Sequence, residues 1–177
     1  FLDGVKDGVP ICLGYFSVSM AFGLAVVLAG MPLWSAVLTS LTNLTSAGQF
    51  AVLTVMAASA SMMDMVLTQL VINSRYALMS LALGQRLGPK VGSLPRLAMA
   101  FFDTDEIFAL GMARVGGVTP SFFLGAGVIA ALGWTLGTAF GAAAGSVLPV
   151  SVQLALGTML YGMFVAIVVP QARREKA

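Results

Sequence analysis

The stretch 101-FFDTDEIF-108 places three carboxylates, Asp103, Asp105 and Glu106, inside a segment that is otherwise apolar. Each unpaired charge at the centre of a membrane helix costs roughly 2.5–3.5 kcal/mol on insertion scales, so three of them nearly cancel the apolar gain of one helix. On a continuous helix Asp103 and Glu106 share a face, whereas Asp105 is turned about 200° from Asp103. The acids therefore have a function or a partner. The alternative is a shallow or re-entrant segment whose acids are solvated and cap a short helix.

The composition around this stretch is that of an integral membrane protein. Of 177 residues, 59% are hydrophobic and 9% are charged, against about 25% charged in a soluble domain, and the mean hydropathy is +0.97. The sequence has no His and one Cys, Cys12, which excludes a disulfide within the chain and a His or Cys metal site. The basic residues lie at segment ends, which argues against nucleic acid as a partner. We predict no metal and no cofactor.

Apolar windows long enough to cross a bilayer, about 17–25 residues, indicate an all-α, polytopic integral membrane protein with about six transmembrane segments in a single domain, 1–177. The windows are Val9 to Ala29, Leu33 to Ala57, Asp64 to Leu83, Leu97 to Ala113, Pro120 to Ala144 and Val150 to Pro170. Glycine and proline mark the short joints between them, which predicts one compact bundle. The chain begins without Met and ends at Ala177, and we expect it to be trimmed at both ends.

Six simple crossings, with the N-terminus inside, divide the basic residues between the two sides of the membrane, which violates the positive-inside rule. The cytoplasmic set is Lys6, Arg114 and Arg173 to Lys176, and the outside set is Arg86, Lys90 and Arg96. Either other loops overrule the rule or one window does not cross fully. The second window is the first candidate, because its middle, 42-TNLTSAGQ-49, is polar and flexible where a lipid-facing helix is apolar. We predict a broken helix there.

The windows also suggest two inverted three-segment repeats, with halves 1–88 and 89–177. Ser35 and Ser121 begin the second and fifth windows, and Gly48 and Trp134 each lie thirteen residues after them. Gln69-Leu70 in the third window recurs as Gln153-Leu154 in the sixth. An odd number of segments in each half makes the repeats inverted, an arrangement common in secondary transporters. The alternative is chance similarity between apolar segments.

The break in the second window is the first candidate binding site. A discontinuous helix leaves free backbone donors at one half-helix end, which suit a carboxylate, and free carbonyls at the other. Neutral polar or flexible residues lie beside these groups, namely Asn43, Thr45, Ser46, Gly48 and Gln49. The alternative is that these side chains only bond neighbouring helices, as small hydroxyl residues do routinely.

A second candidate lies in the third window, where Asn73 and Arg75 occupy mid-depth positions. Arg75 is too far from either end for its guanidinium to reach the membrane surface comfortably, so it requires an anion. The acids at comparable depth are those of the fourth window, so we predict that Arg75 pairs with Asp103, Asp105 or Glu106. The pair is either a purely structural link or one part of a site in which another acid takes a proton or a substrate ammonium.

A glycine face in the fifth window predicts close helix packing. Gly133, Gly137, Gly141 and Gly145 recur every four residues and share one helix face. Packing within the chain is the simpler interpretation, and a homodimer through this face is the alternative. Trp134 projects from the opposite side and is a candidate for lining a cavity.

Four ordered strings resemble the AzlC family of branched-chain amino acid permeases over roughly Gly4 to Pro170. They are 45-TSAGQFA-51, Asn73-x-Arg75-Tyr76-x-Leu78-Met79, Thr104-Asp105-Glu106-x-Phe108-Ala109 and Leu132-Gly133-Trp134-x-x-Gly137-Thr138. The resemblance implies a multi-pass exporter of valine, leucine and isoleucine in the bacterial inner membrane. It also implies a small AzlD-type membrane subunit as partner. One departure is Tyr76, where many relatives have His.

We therefore expect a transporter and not an enzyme. In this hypothesis the break at Asn43 to Gln49 holds the substrate carboxylate, and Asp105 or Glu106 receives the ammonium or a coupling proton. The apolar candidates for selecting the substrate are Trp134, Phe50 and Phe108. The alternatives are a membrane transferase that holds a metal with Asp103 and Asp105, a passive channel, and a purely structural subunit.

Overall fold

The computed structural model describes residues 1–88, 91–114, 116–145, 149, 151–152, 155 and 158. Over these residues the chain is helical and contains no strand. The helices are α1 (Leu2–Leu28), α2 (Leu33–Thr42), α3 (Ala47–Ala57), α4 (Met62–Arg86), α5 (Ser93–Phe101), α6 (Asp105–Ala113) and α7 (Pro120–Ala144). Most of the sixth window, Val150 to Pro170, lies outside the described residues, as do Lys90, the Gln153-Leu154 pair and Arg173 to Lys176. The predicted all-α polytopic membrane fold is confirmed.

Three of these helices are long and apolar enough to cross a bilayer, namely α1, α4 and α7, with 27, 25 and 25 residues. A crossing needs about 20 residues at 1.5 Å each. The helices α2, α3, α5 and α6 have 9 to 11 residues, so each reaches about half of that depth.

Helices α1 and α7 run parallel and pack along their whole length. Along α1, Cys12, Phe16, Met20 and Leu24 meet Gly133, Gly137, Gly141 and Gly145 of α7 in the same order. A Cβ added at Gly137 or Gly141 would overlap the backbone carbonyl of Phe16 or Met20, so the glycines allow the two backbones to touch. This glycine face is therefore covered by α1 and is not free to form the homodimer considered as the alternative. A dimer through another surface stays a prediction.

The α1–α7 interface gives a first test, on α1 itself. Gly23→Ala would press its methyl group into the carbonyl of Thr138, whereas nothing lies within 4 Å of a Cβ at Gly14. We expect Gly23→Ala to lower the free energy of unfolding by about 1–3 kcal/mol, because overpacking forces the backbones apart. The matched control, Gly14→Ala, should leave it unchanged or raise it. Thermal unfolding of the purified protein measures both, and equal melting temperatures would contradict this interface.

The first hairpin, α2 with α3, enters and leaves on one side of the bundle. Ala36 of α2 and both Phe50 and Leu53 of α3 pack in one cluster with Phe22 and Val26, in the C-terminal third of α1. If the segment crossed, α3 would instead end beside the N-terminal third of α1. The predicted break is present, since Asn43 ends α2 with extended backbone. The second window is therefore re-entrant.

The second hairpin, α5 with α6, enters from the opposite side. Helix α4 runs back along the bundle, because Leu83 near its end and Leu87 just after it belong to the same buried cluster as Phe123 at the start of α7. Helix α6 returns to this same level, where Gly111 lies against the ring of Phe123. The fourth window is thus also broken, and Asp103 lies between its two helices. The shared helix face expected for Asp103 and Glu106 does not exist, and the re-entrant alternative is the one the structure has.

The hairpins and the long helices that follow them form an inverted internal repeat, residues 33–86 and 93–144. The second helices of the hairpins begin 58 positions apart (Ala47 and Asp105), as do the long helices (Met62 and Pro120), whereas the first helices begin 60 positions apart (Leu33 and Ser93). Helices α4 and α7 have the same length. The hairpins enter from opposite sides and α4 opposes α7, which inverts the second copy.

The residue pairs taken from the sequence differ from this correspondence. Pairing Ser35 with Ser121 sets the broken second window against the continuous helix α7. The structure instead matches the second window with the fourth, both of them broken. Each copy falls within one of the halves 1–88 and 89–177, which as complete units stay a prediction.

The re-entrant hairpins remove the conflict with the positive-inside rule. Because neither hairpin crosses, the side on which α1 begins is also the side on which α4 ends and α7 begins. The described basic residues on that side are Lys6, Arg86, Arg96 and Arg114. The rule then predicts that this side faces the cytoplasm.

Candidate functional site

The tips of the two hairpins meet in the middle of the bundle, around two adjoining cavities. The inner cleft has a volume of about 10 Å³ and is lined by Tyr15, Leu44, Ser46, Arg75, Tyr76, Thr104, Asp105 and Glu106. The outer cavity has a volume of about 140 Å³ and is lined by Leu44, Thr45, Tyr76, Ala100, Phe101, Asp103 and Thr104. The inner cleft has room for about one water molecule. The outer cavity is the larger space and combines apolar and polar walls.

The first break is held open by a fully buried amide. Gln49 has 0% of its surface exposed. Its Nε2 donates to the carbonyl oxygen of Asn43 at 2.6 Å, and its Oε1 accepts from Nε1 of Trp134 at 2.9 Å. The Asn43 side chain accepts from the backbone N–H of Thr45 at 2.9 Å. Gln49 and Asn43 therefore fix the shape of the break, and their polar groups are used within the protein.

Ser46, the residue just before α3, has a strained backbone conformation. Its φ is +48°, a left-handed conformation that non-glycine residues rarely adopt and that is common at functional sites. Gly48, two residues on, accepts at its carbonyl from Gln69 Nε2 at 2.9 Å. A Cβ at Gly48 would overlap Oγ1 of Thr45, so glycine lets the break fold tightly.

The three acids of the second break have three different partners, which lie on two helices, α4 and α1. Asp105 lies 2.5 Å from Nη1 of Arg75 on α4, with side chains 26% and 36% exposed. Glu106 accepts a hydrogen bond from the hydroxyl of Tyr15 on α1. Asp103 Oδ2 accepts from Ser80 Oγ on α4 at 3.1 Å. Two of the acids thus have strong partners, whereas Asp103 has a single neutral one.

Several buried polar atoms around the two cavities lack a protein partner. They are Asp103 Oδ1, Thr45 Oγ1, Ser46 Oγ and Arg75 Nε. Asp103 is 2% exposed. A buried carboxylate oxygen without a partner costs free energy unless a proton, a cation or a ligand satisfies it. The cavities therefore offer one anionic acceptor and a set of donors, which matches the two charged ends of an amino acid.

Each hairpin is bonded to the long helix of the other repeat. Ser40 of the first hairpin lies 2.8 Å from the hydroxyl of Thr138 on α7, and Asp103 of the second is bonded to Ser80 on α4. Thr138 and Ser80 are 58 positions apart, as are Trp134 and Tyr76. The two copies thus hold their hairpins through equivalent positions on the long helices. The first hairpin is held by a hydrogen bond between two hydroxyl groups, and the second by a hydrogen bond from a hydroxyl to a carboxylate.

Not all of the sequence-predicted residues reach the cavities. Asn73 lies on a groove on the outer surface of α4, where its Nδ2 donates to Gln69 Oε1 at 3.0 Å. Trp134 is 1% exposed and packs against the ring of Tyr15 with centroids 5.4 Å apart. It therefore supports a residue that lines the inner cleft but does not line the cleft itself. Phe50 packs against Phe22. These three residues line neither cavity.

Sequence reasoning missed Tyr15, Ser80 and the lining role of Tyr76. Tyr15 is 5% exposed, and its hydroxyl lies 2.7 Å from Thr104 Oγ1 as well as bonding Glu106. A phenol in the middle of an apolar helix was the available signal, since a buried tyrosine hydroxyl normally finds a partner. Ser80 gave no comparable signal among the other hydroxyl residues.

The described part of the chain contains no cluster of side chains suited to binding a metal ion. No three side chains of His, Cys, Asp or Glu converge there in a way that could hold an ion. The pair named for a transferase site, Asp103 and Asp105, is engaged by two different partners, Ser80 and Arg75.

Comparison with known proteins places the chain among membrane proteins. It is 29% identical over 185 residues to the inner membrane protein YgaZ of Escherichia coli K12, covering 100% of this chain and 75% of the relative. It is 29% identical over 175 residues to an uncharacterized membrane protein of Archaeoglobus fulgidus (98% and 76%). A Helicobacter pylori 26695 membrane protein is 37% identical over 114 residues (62% and 49%). No solved structure matches the chain.

The family comparison covers most of the chain. The family model described as AzlC protein matches residues 10–148, a range that includes both hairpins, α4, α7 and most of α1. The match and the membrane-protein relatives support a transporter-type function. The chain belongs to the AzlC family.

Proposed function

We propose that this protein exports branched-chain amino acids, namely valine, leucine and isoleucine, across the bacterial inner membrane, as the large subunit of a two-component exporter. The observation that carries the proposal is the outer cavity, which is lined by the buried Asp103, whose Oδ1 has no hydrogen-bond partner, together with Leu44 and Phe101. An anionic acceptor beside an apolar wall suits an ammonium group attached to an apolar side chain.

Each end of the substrate then has a proposed partner. Asp103 receives the ammonium, and the free hydroxyl of Thr45, which lines the same cavity, is a donor for the carboxylate. This assignment replaces Asp105 and Glu106 as the ammonium acceptor, because Arg75 and Tyr15 already engage them.

The apolar wall sets the breadth of specificity. Leu44, Ala100 and Phe101 line the outer cavity and take over the selecting role first assigned to Trp134, Phe50 and Phe108. A hydrophobic pocket distinguishes one methylene by only about 1–3 kcal/mol. Overlapping transport of valine, leucine and isoleucine is therefore expected, with rejection of charged side chains.

The second component is proposed from the family resemblance. Permeases that this chain resembles work with a small AzlD-type membrane subunit, so the pair is the unit to test. Cavity geometry supports a binding site for substrate in the large subunit alone, which means that binding and transport can be measured separately.

Ligand-induced stabilisation of the purified chain is the first test. A ligand at a hundredfold excess over Kd stabilises the folded state by about 2.7 kcal/mol, so valine, leucine and isoleucine should each raise the melting temperature. Aspartate and lysine are the matched controls and should not. In proteoliposomes with the co-expressed small subunit, efflux of loaded valine should saturate with concentration. Unsaturable flux would indicate a passive channel, and no response to any amino acid in either assay would refute the proposal.

A further inference from the structure

A third cavity, between α4 and α5, lies outside the site described above. It has a volume of about 140 Å³ and is lined by Ser80, Leu83, Gly84, Leu87, Arg96, Met99 and Ala100. We call it the α4–α5 cavity. It lies on the side of the bundle where α4 ends and α5 begins, which the positive-inside rule assigns to the cytoplasm.

Arg96 presents its guanidinium to this cavity. Its Nε donates to the carbonyl oxygen of Val91 at 3.1 Å, which fixes the side chain and leaves the two Nη groups directed away from that bond. A Cβ at Gly84 would lie 3.6 Å from Nη1, an ordinary contact distance, so Gly84 lies directly beside the guanidinium. The salt bridge found among the described residues joins Arg75 and Asp105 and does not involve Arg96.

The rest of the cavity is apolar and leads toward the outer cavity. Leu83, Leu87 and Met99 form a buried wall, with 4%, 9% and 1% of their surfaces exposed. Ala100 lines both this cavity and the outer cavity. Ser80 lines this cavity and donates to Asp103 of the outer one. The two cavities are thus neighbours, and the hydrogen bond from Ser80 to Asp103 lies between them.

We infer that the α4–α5 cavity is a loading site, which binds the carboxylate and the apolar side chain of the amino acid on its way from the cytoplasm to the outer cavity. The inference rests on the proposed function and adds a second station to it. Arginine binds carboxylates through charge-assisted and often bidentate hydrogen bonds, and the buried wall accommodates a branched side chain.

The loading site differs chemically from the outer cavity, because none of the described residues that line it is an acid. It therefore needs a carboxylate and an apolar chain but no ammonium group. The branched carboxylate 4-methylpentanoate has these two features and lacks the third, so it should bind at the loading site and not at Asp103.

Calorimetric binding of 4-methylpentanoate to the protein in neutral-lipid nanodiscs tests this inference. Arg96→Gln should weaken binding about tenfold or more, the typical loss for a hydrogen bond to a charged group. Gly84→Leu, which fills the cavity and keeps the charge, should weaken it similarly. The matched control is Arg86→Gln, an exposed arginine at the end of α4, and it should bind as the wild type does.

The following outcomes distinguish the loading site from its alternatives. Equal affinity in Arg96→Gln and Arg86→Gln would overturn the loading site, as would Arg96-dependent retention of phosphatidylglycerol without carboxylate binding, which would indicate a lipid site. Asp103→Asn separates the two proposals, because it should lose valine binding and keep 4-methylpentanoate binding. Valine transport that proceeds normally in Arg96→Gln would refute the loading site alone, whereas no valine transport by the wild type would refute the proposed function.

Discussion

Asp103→Asn is expected to weaken valine binding by about 30-fold or more and to lower valine efflux by a similar factor. Removing one partner of a buried, hydrogen-bonded charge pair costs about 2 kcal/mol or more. The change is close to isosteric, and the new amide oxygen can still accept from Ser80. The lost binding therefore reports the charge on Asp103, which lines the outer cavity. Thermal shift with valine and efflux from loaded proteoliposomes measure it.

The stability of the same variant separates a binding role from a structural one. Asp103 Oδ1 is buried without a partner, so in the free protein the charge is a cost that asparagine partly removes. We expect Asp103→Asn to unfold at the same temperature as the wild type or a higher one. Asp7→Asn, an exposed acid on α1, is the control and should change neither binding nor stability. A lower melting temperature with intact valine binding would show that Asp103 only supports the fold.

The first break could be predicted because it is a local feature of the sequence. A polar run with glycine inside an apolar window has too few apolar groups for a lipid-facing helix, and 42-TNLTSAGQ-49 has that composition. The structure ends α2 at Thr42 and begins α3 at Ala47. The partner of Arg75 could also be narrowed to three acids, because a cation at mid-depth requires an anion at the same depth.

Re-entrance could not be predicted from either window alone. Whether two half-helices continue across the bilayer or turn back depends on what they pack against, here the C-terminal third of α1 for the first hairpin. The basic residues point to re-entrance indirectly. Arg86 and Arg96 violate the positive-inside rule if every window crosses, and they satisfy it if both hairpins are re-entrant. The sequence suggests an incomplete crossing for the second window and offers re-entrance as an alternative for the fourth, but it does not indicate that both turn back together.

The inverted repeat was hidden by divergence between its copies. At a separation of 58 positions, Phe50-Ala51 matches Phe108-Ala109, but most other positions differ. Ser46 and Thr104 both begin the second helix of a hairpin, while the residues around them became neutral in one copy and acidic in the other. Equivalent backbone positions thus carry different chemistry, which a search for identical residues does not detect.

The chemical difference between the copies makes the Arg75–Asp105 pair the second strong test. Arg75→Met leaves Asp105 without its cation in the middle of the bundle. The two side chains are 36% and 26% exposed, so losing the pair costs about 1–2 kcal/mol, between the values for an exposed and a buried ion pair. We expect a clear loss of thermal stability. Adding Asp105→Asn removes the unpaired charge, so the double variant should recover most of that loss.

Transport should not recover in the double variant. Arg75 holds the second hairpin to α4 through Asp105, and its free Nε is available to the inner cleft. The double variant regains stability but still lacks both of these contributions from Arg75. The control is Arg114→Met combined with Asp105→Asn. Arg114 lies over the ring of Phe122, 4.1 Å from its centroid, and is not paired with Asp105, so the two changes should add without compensation. A double variant no more stable than Arg75→Met alone would refute the pair, and one that transports normally would reduce it to a structural link between α4 and the second hairpin.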